Sequence, residues 1–318
     1  MTTFKEIRGT AIQSVSSDPS NPEEGQIWYN NTIGVLKGYQ LVAAAWAAGG
    51  NLAVARQALG GAGTQTAGLA FGGASYPPLQ RRDSTEEYDG SAWAAGGNLT
   101  TARQSLGGAG TQTAAVGFGG YIGPYSAATE EYNGSTWSPG GNLSTARYEM
   151  ASAGTQTAAL GAGGYDSTPP GLSNVTEEYD GSVWAGGGNL GTARYTLAGA
   201  GTQTAGLAFG GRTPTTNATE EYDGSAWTAG GNLNTARSGL AGCGTQTAAL
   251  GFGGSGPGTA TESYNGTSWT STSSLTTGRT AGGGAGTQTS ALYFGGGFGA
   301  ATEEFTGAFL STKKITTS

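Results

Sequence analysis

The chain has 318 residues, 62 of them glycine, a net charge of −7, no histidine and a single cysteine, Cys243. Lack of histidine excludes the usual zinc sites and His-activated nucleophiles, and one cysteine leaves no disulfide within the chain. The acidic balance with scattered Lys and Arg argues against nucleic acid, whose phosphates need a clustered basic face, and the glycines follow no G-X-Y period, so collagen is excluded too.

Residues 1–40 stand apart from the rest of the chain. Their first stretch, MTTFKEIRGTAIQSV, has no apolar h-region, and no apolar run in the chain reaches membrane-spanning length, so no membrane insertion is expected. Within SDPSNPEEGQIWYNNTIGVLKGYQ, turn residues between IWYN and VLKGY predict a hairpin carrying Trp28 and Tyr29.

From residue 41 onward a 30-residue block recurs six times, and all variation in length falls in one interval. Trp46, Trp93, Trp137, Trp184, Trp227 and Trp269 each precede an arginine by ten residues: Arg56, Arg103, Arg147, Arg194, Arg237 and Arg279. Eight residues on stands the first threonine of GTQT, and seven more reach the FGG position, which is Ala162 in the third repeat and Phe in the others. The gap from there to the aromatic of TEEY is 17, 14, 17, 13, 12 and 11, whereas each of the five tyrosines, Tyr88 to Tyr264, precedes the next Trp by five. A period in the forties with one free interval is a repeat scaffold carrying variable loops. Cys243 occupies a position that is alanine in the other repeats and reads as a small buried residue.

Each repeat divides into four short strands: a small-residue segment such as QSLGGAG (104–110), an apolar run such as AAVGFGG (114–120), ATEEY (128–132), and the Trp strand STWSPGG (135–141). Asn-Gly or Asp-Gly between the last two signals a type I′ hairpin. The turn residue alternates among Asp89, Asn133, Asp180, Asp223 and Asn265, which a calcium ligand would not do, so no metal is expected.

Four antiparallel strands per repeat of this length suit a β-propeller blade. The order Arg, double Gly, Glu-x-Tyr and Trp, standing in the second repeat as Arg103, Gly119-Gly120, Glu130, Tyr132 and Trp137, resembles the Kelch repeat over residues 46–310. The resemblance implies an all-β, six-bladed Kelch-like β-propeller over 41–318, preceded by the 1–40 extension. The sixth repeat departs from the pattern, with Phe305 for Tyr and no Trp five residues later. Two closures are open: the strand around Trp46 completes the last blade, or Gly307–Ile315 does.

The arginine is kept in all six copies, as is the first TEE glutamate, namely Glu86, Glu130, Glu177, Glu220, Glu262 and Glu303. Six identical centres suit a framework pair better than a catalytic one. Enzymes on propellers resembling this one include copper-radical oxidases, which need the missing histidines, and Arg-triad sialidases, whose clustered arginines are not evident here. No catalytic residue and no cofactor is expected. Each tryptophan should pack between blades, contributing on the order of 4 to 6 kcal/mol as an upper bound.

Function is expected in the variable loops, which share one face with the GGNL connections. Seven of the ten prolines lie in them, together with Tyr76, Arg81, Arg82, Tyr121, Tyr125, Tyr165, Asp166 and Arg212, the aromatic and charged groups of a recognition surface. A glycan or a protein would suit such groups equally. The 17–40 stretch resembles N-terminal segments of tail and other structural proteins of tailed, particularly marine, bacteriophages. That resemblance implies a non-enzymatic virion protein, tail-associated, assembled in the host cytoplasm. It would attach to other virion proteins through the segment bearing Trp28 and Tyr29, stand in multiple symmetric copies, and bind a host-surface glycan or protein through the loops. The alternatives are a Kelch interaction module unrelated to a virion, or a capsid or tail decoration without receptor binding.

Overall fold

The computed structural model describes residues 12–167 and 171–315. Residues 1–11 of the N-terminal segment, residues 168–170 of the third variable loop and residues 316–318 lie outside the described residues. Every regular element among the described residues is a β-strand. The chain divides into two compact units, Met1–Ala44 with Gly307–Ser318, and Ala45–Thr306.

The smaller unit is one four-stranded sheet in the order Gln13–Val15, Ile27–Asn30, Val35–Val42, Phe309–Lys314, its first pairing parallel and the other two antiparallel. The hairpin carrying Trp28 and Tyr29 is present as Ile27–Asn30 against Val35–Val42. Alternation along the strand sends the two rings to opposite faces. Trp28 is fully buried, while Tyr29 is 40% exposed. Trp28 Nε1 and Asn30 Nδ2 both donate to Asp18 Oδ1, at 3.0 and 2.9 Å, and Lys37 Nζ pairs with Oδ2 at 2.5 Å. The Lys37, Asn30 and Trp28 hydrogen bonds hold the Asp18 carboxyl down to about 2.

In the larger unit, six four-stranded antiparallel sheets repeat one plan among the described residues. The first sheet runs Gly60–Gly63, Gly68–Phe71, Thr85–Tyr88, Trp93–Ala95. The sixth runs Gly283–Thr287, Ser290–Phe294, Thr302–Thr306 and takes its outermost strand, Ala45–Ala48, from the start of the array. Of the two closures the sequence left open, the Trp46 strand is the one formed, and Phe309–Lys314 pairs with Val35–Val42 instead. The architecture is all-β and compatible with a β-propeller-like arrangement.

Glycine in the innermost strands results from close approach. A Cβ on Gly199 would lie 2.4 Å from Ser152 O in the neighbouring sheet, and one on Gly108 would lie 2.8 Å from Gly61 O. Such distances leave room for backbone only.

Three contacts recur where one sheet meets the next. Each Trp indole donates to a threonine of the preceding sheet, as Trp137 to Thr85 and Trp93 to Thr302, both at 2.9 Å. Each GTQT glutamine spans two carbonyls of that sheet, as Gln112 does to Gly68 O and Tyr88 O. Five tyrosine hydroxyls donate to the second TEE glutamate, as Tyr132 to Glu87 and Tyr88 to Glu304, both at 2.5 Å. Trp184 also packs its ring 4.7 Å from Phe118, whereas the third sheet has Ala162 at the Phe position and Trp227 packs against clusters that include Ala162 and Leu160.

Within each repeat the arginine pairs with the first glutamate, as in Arg147 with Glu177 and Arg237 with Glu262, both at 2.8 Å. The other glutamate oxygen accepts a backbone N–H of the connection before the arginine, Ser144 for Glu177 and Asn234 for Glu262. Arg147 Nη1 donates to the carbonyls of Gly163 and Val175. Burial lowers the pKa of Arg56, Arg103, Arg147, Arg194 and Arg237, and the paired glutamate opposes it. These are framework pairs, with both charges desolvated and most donors directed to fixed acceptors.

The Asp-Gly and Asn-Gly turns differ from the type I′ expectation. Tyr88 pairs with Trp93, so the loop has four residues, and only the glycine, Gly90 at φ 92°, is left-handed. Asp89 Oδ1 accepts from the Ser91 and Ala92 N–H groups, both at 2.8 Å. Asn133 Oδ1 does the same for Ser135 and Thr136. Both residue types offer that oxygen, which is why Asp and Asn interchange there.

Candidate binding surface on the variable loops

The connection entering each sheet lies on the variable loop of the preceding one. Leu99 N donates to Asp83 O, and Arg103 N to Arg82 O. At the opposite end the GTQT turn neighbours the Asp-Gly turn, Thr66 beside Gly90. The loops and the entering connections therefore occupy one end, as their order along an up-and-down sheet requires.

That end is rimmed by a ring made from backbone. Two residues after each framework arginine, the chain turns through left-handed conformations at Ala58, Ser105, Glu149, Thr196, Gly239 and Ala281, with φ between 53° and 64°. Their amides form a closed cycle: Ser105 N donates to Ala58 O, Glu149 N to Ser105 O, Thr196 N to Glu149 O, Gly239 N to Thr196 O, Ala281 N to Gly239 O, and Ala58 N to Ala281 O, at 2.6 to 2.9 Å. Only Gly239 adopts this conformation without cost; for the other five the hydrogen-bonded cycle offsets the strain.

Beside this rim, tyrosines from two loops and two entering connections meet. Tyr125 lies 5.1 Å from Tyr148 between ring centroids, Tyr148 5.7 Å from Tyr165, and Tyr165 5.4 Å from Tyr195. Tyr121 adjoins Tyr125 at 6.0 Å and Tyr148 at 5.9 Å, and carries the Arg81 guanidinium 4.8 Å above its ring. The tilted arrangement is the one favoured by ring quadrupoles, and mutual packing fixes the rotamers. All five tyrosines are half-buried, so part of each ring faces solvent. Two short ladders brace the loops, Arg147–Tyr148 against Tyr165–Asp166, and Ala74–Ser75 against Gln80–Arg81.

A cleft of about 710 Å³ opens among these residues, lined by Gln104, Ser105, Tyr121, Tyr125, Tyr148 and Glu149 with neighbouring loop residues. Glu149 is the one acidic side chain among the six rim positions. Burial pushes its carboxyl up to about 7, with Arg212 opposing the shift. Burial and the Glu149 charge push the Tyr148 phenol up to about 12.

Of the residues expected from sequence, Tyr121, Tyr125 and Tyr165 come together, with Arg81 stacked on the first. Arg212 is exposed and bridges to Tyr195 through backbone, its N–H donating to Tyr195 O at 2.9 Å. Tyr76, 61% exposed, lies elsewhere on this end, 5.5 Å from Phe298. Arg82 is committed to Ser75 Oγ at 2.9 Å, and Asp166 is buried opposite Arg147 in the ladder, so both support the loops from beneath. Tyr148, Tyr195 and Glu149 join the site from outside the expected set. Their signal was the pair of positions after each arginine, Gln-Ala, Gln-Ser, Tyr-Glu, Tyr-Thr, Ser-Gly and Thr-Ala, the places where an otherwise uniform block changes chemistry.

Among the described residues no cluster of acidic and Cys side chains could hold a metal ion. No helix there is long and apolar enough to cross a membrane. No family model matches this chain, and no curated protein shows significant similarity to it.

Proposed function

We propose that the larger unit is a six-bladed Kelch-type β-propeller serving a non-enzymatic component of a tailed-phage virion. It attaches to other virion proteins through residues 1–40 and recognises a host-surface glycan or protein through its variable loops. Support for six blades comes from the closed cycle of six backbone hydrogen bonds and from the sharing of the sixth sheet between the two ends of the array. Support for the Kelch type comes from the repeated Arg–Glu pair and the Trp–Thr joint. The phage assignment rests on the likeness of residues 17–40 to phage structural proteins, and Tyr29 is the aromatic of that segment left open to a partner.

The observation that carries recognition is the tyrosine cluster. A rigid scaffold that keeps its block constant gathers five half-buried tyrosines beside an open cleft at its variable end. Loops that drift without constraint would not converge on one side-chain type from four separate segments.

Mass spectrometry of purified virions is expected to detect the chain, and its absence from the particle refutes the virion reading. Replacing residues 74–84 and 165–175 by Gly-Ser sequences is expected to weaken adsorption to the host with the fold retained by circular dichroism. Unchanged adsorption would leave a decoration role.

A further inference from the structure

Resting on the recognition reading above, we infer that the cleft beside Glu149 is a saccharide subsite for a neutral, hydroxyl-rich glycan, with Tyr125 and Tyr148 as stacking platforms and Glu149 as hydroxyl acceptor. Four observations carry this. The two rings are wedged against each other at 5.1 Å, and Tyr165 backs Tyr148 at 5.7 Å, so they present faces without ordering cost, which suits the flat apolar face of a pyranose. The cavity, about 710 Å³ and open to solvent, falls within the roughly 300–1,000 Å³ of small-molecule sites.

Its polar lining is mostly uncharged. Ser105 and Gln104 line the wall, and Gln104 Oε1, shielded from bulk water, has no hydrogen-bond partner among the described residues, an acceptor that a donor entering the cleft would satisfy. Glu149 is fixed by geometry as well as by chemistry. Its backbone is held at φ 58° by the rim cycle, Glu149 N to Ser105 O at 2.9 Å and Thr196 N to Glu149 O at 2.9 Å, and it borders both this cleft and the central depression inside the rim. Ionised above pH 7, the Glu149 carboxylate accepts from two vicinal hydroxyls at once and disfavours an acidic sugar, which selects the neutral class. None of the equivalent positions, Ala58, Ser105, Thr196, Gly239 or Ala281, can do this, so the six-fold frame carries one such subsite.

The test is calorimetric titration of the full chain with neutral oligosaccharides of glucose, galactose, mannose and N-acetylglucosamine, and with polygalacturonate as the acidic counterpart. In parallel, binding is measured to envelopes of the bacterium on which the virions grow, untreated, periodate-oxidised or protease-treated. Expected are binding to a neutral oligosaccharide, loss of about tenfold or more in Tyr125→Ala and Tyr148→Ala, and near-parent affinity in Tyr148→Phe, which keeps the ring. Glu149→Gln should lose several-fold with the fold unchanged. Should Tyr148→Ala not fold, Tyr125→Ala in the loop decides. Envelope binding that survives periodate and is lost to protease overturns the saccharide subsite while leaving recognition standing. Binding to neither envelopes nor sugars removes both. Saccharide binding indifferent to Tyr125 and Glu149, or confined to polygalacturonate, also overturns the assignment.

Discussion

Ser263 and Phe305 stand at the one joint of six that lacks the tyrosine–carboxylate hydrogen bond. At the other five, a tyrosine of one sheet donates to the second TEE glutamate of the sheet before it, as Tyr264 does to Glu221 at 2.5 Å. In the sixth sheet the ring is Phe305, with no hydroxyl to donate, and the fifth sheet has Ser263 in place of the acceptor. Donor and acceptor have been given up together, which spares the buried site an orphan group.

The pair is testable by a double-mutant cycle. Phe305→Tyr alone puts a hydroxyl into a site that is 2% exposed and is expected to be neutral or destabilising. Ser263→Glu alone is expected to behave likewise. Together they should recover a favourable coupling of about 1 to 2 kcal/mol, read from urea unfolding. Additive effects would refute the inter-sheet pairing.

Breaking one framework pair should cost far more than replacing it. Arg237→Met leaves Glu262, 2% exposed, without its cation and is expected to destabilise by about 3 to 5 kcal/mol. The double change Arg237→Met with Glu262→Met should lose less than the single one. Chemical denaturation distinguishes the two, and equal losses would mean the charges matter individually rather than as a pair.

Tryptophans in equivalent positions are expected to differ. Trp184→Ala removes a ring stacked 4.7 Å from Phe118 and should cost about 3 to 5 kcal/mol. Trp227→Ala, where Ala162 stands in place of that Phe, should cost measurably less. Melting temperatures of the two variants check the order.

Close approach of the innermost strands predicts that Gly199→Ala destabilises by about 1 to 3 kcal/mol, because its methyl would meet Ser152 O at 2.4 Å. Gly186→Ala, where nothing lies within 4 Å, serves as the control and should leave the melting temperature nearly unchanged.

Glu149 gives the fold a pH dependence of definite sign. Its carboxyl ionises near 4.5 when unfolded and at about 7 when folded. Between those values the unfolded chain has released a proton that the folded chain keeps, so stability falls as pH rises through this window. The penalty is absent below it and complete above it, on the order of 3 kcal/mol at most. Glu149→Gln is expected to melt higher than the parent at pH 8 and at the same temperature at pH 4. A difference that persists unchanged at pH 4 would point to packing instead of charge.

Much of the frame was legible because identical spacing in six copies reports strand order, sheet membership and the Arg–Glu pairing without help from any one residue. The Trp46 closure was one of two that the sequence left open, since pairing across the whole array leaves no local signature. The turn geometry departs from the expected type for a physical reason: Asp89 and Asn133 act through a side-chain oxygen rather than through a left-handed backbone. At the candidate site the loop tyrosines were visible, but Tyr148 and Glu149 were not. They sit inside the constant block, and only the turn of the chain after Arg147 brings them to the rim.

The strand Ala45–Ala48 leaves the ribosome before any residue it will pair with, and its partner Thr302–Thr306 is among the last of the array to be made. During synthesis the growing protein therefore carries one unmatched strand at its leading end and an open edge at its trailing end, and both invite pairing with another nascent copy. Nothing short of the full count of repeats satisfies either edge. A gained or lost repeat must remake that pairing at once, whereas a change of loop length leaves it in place.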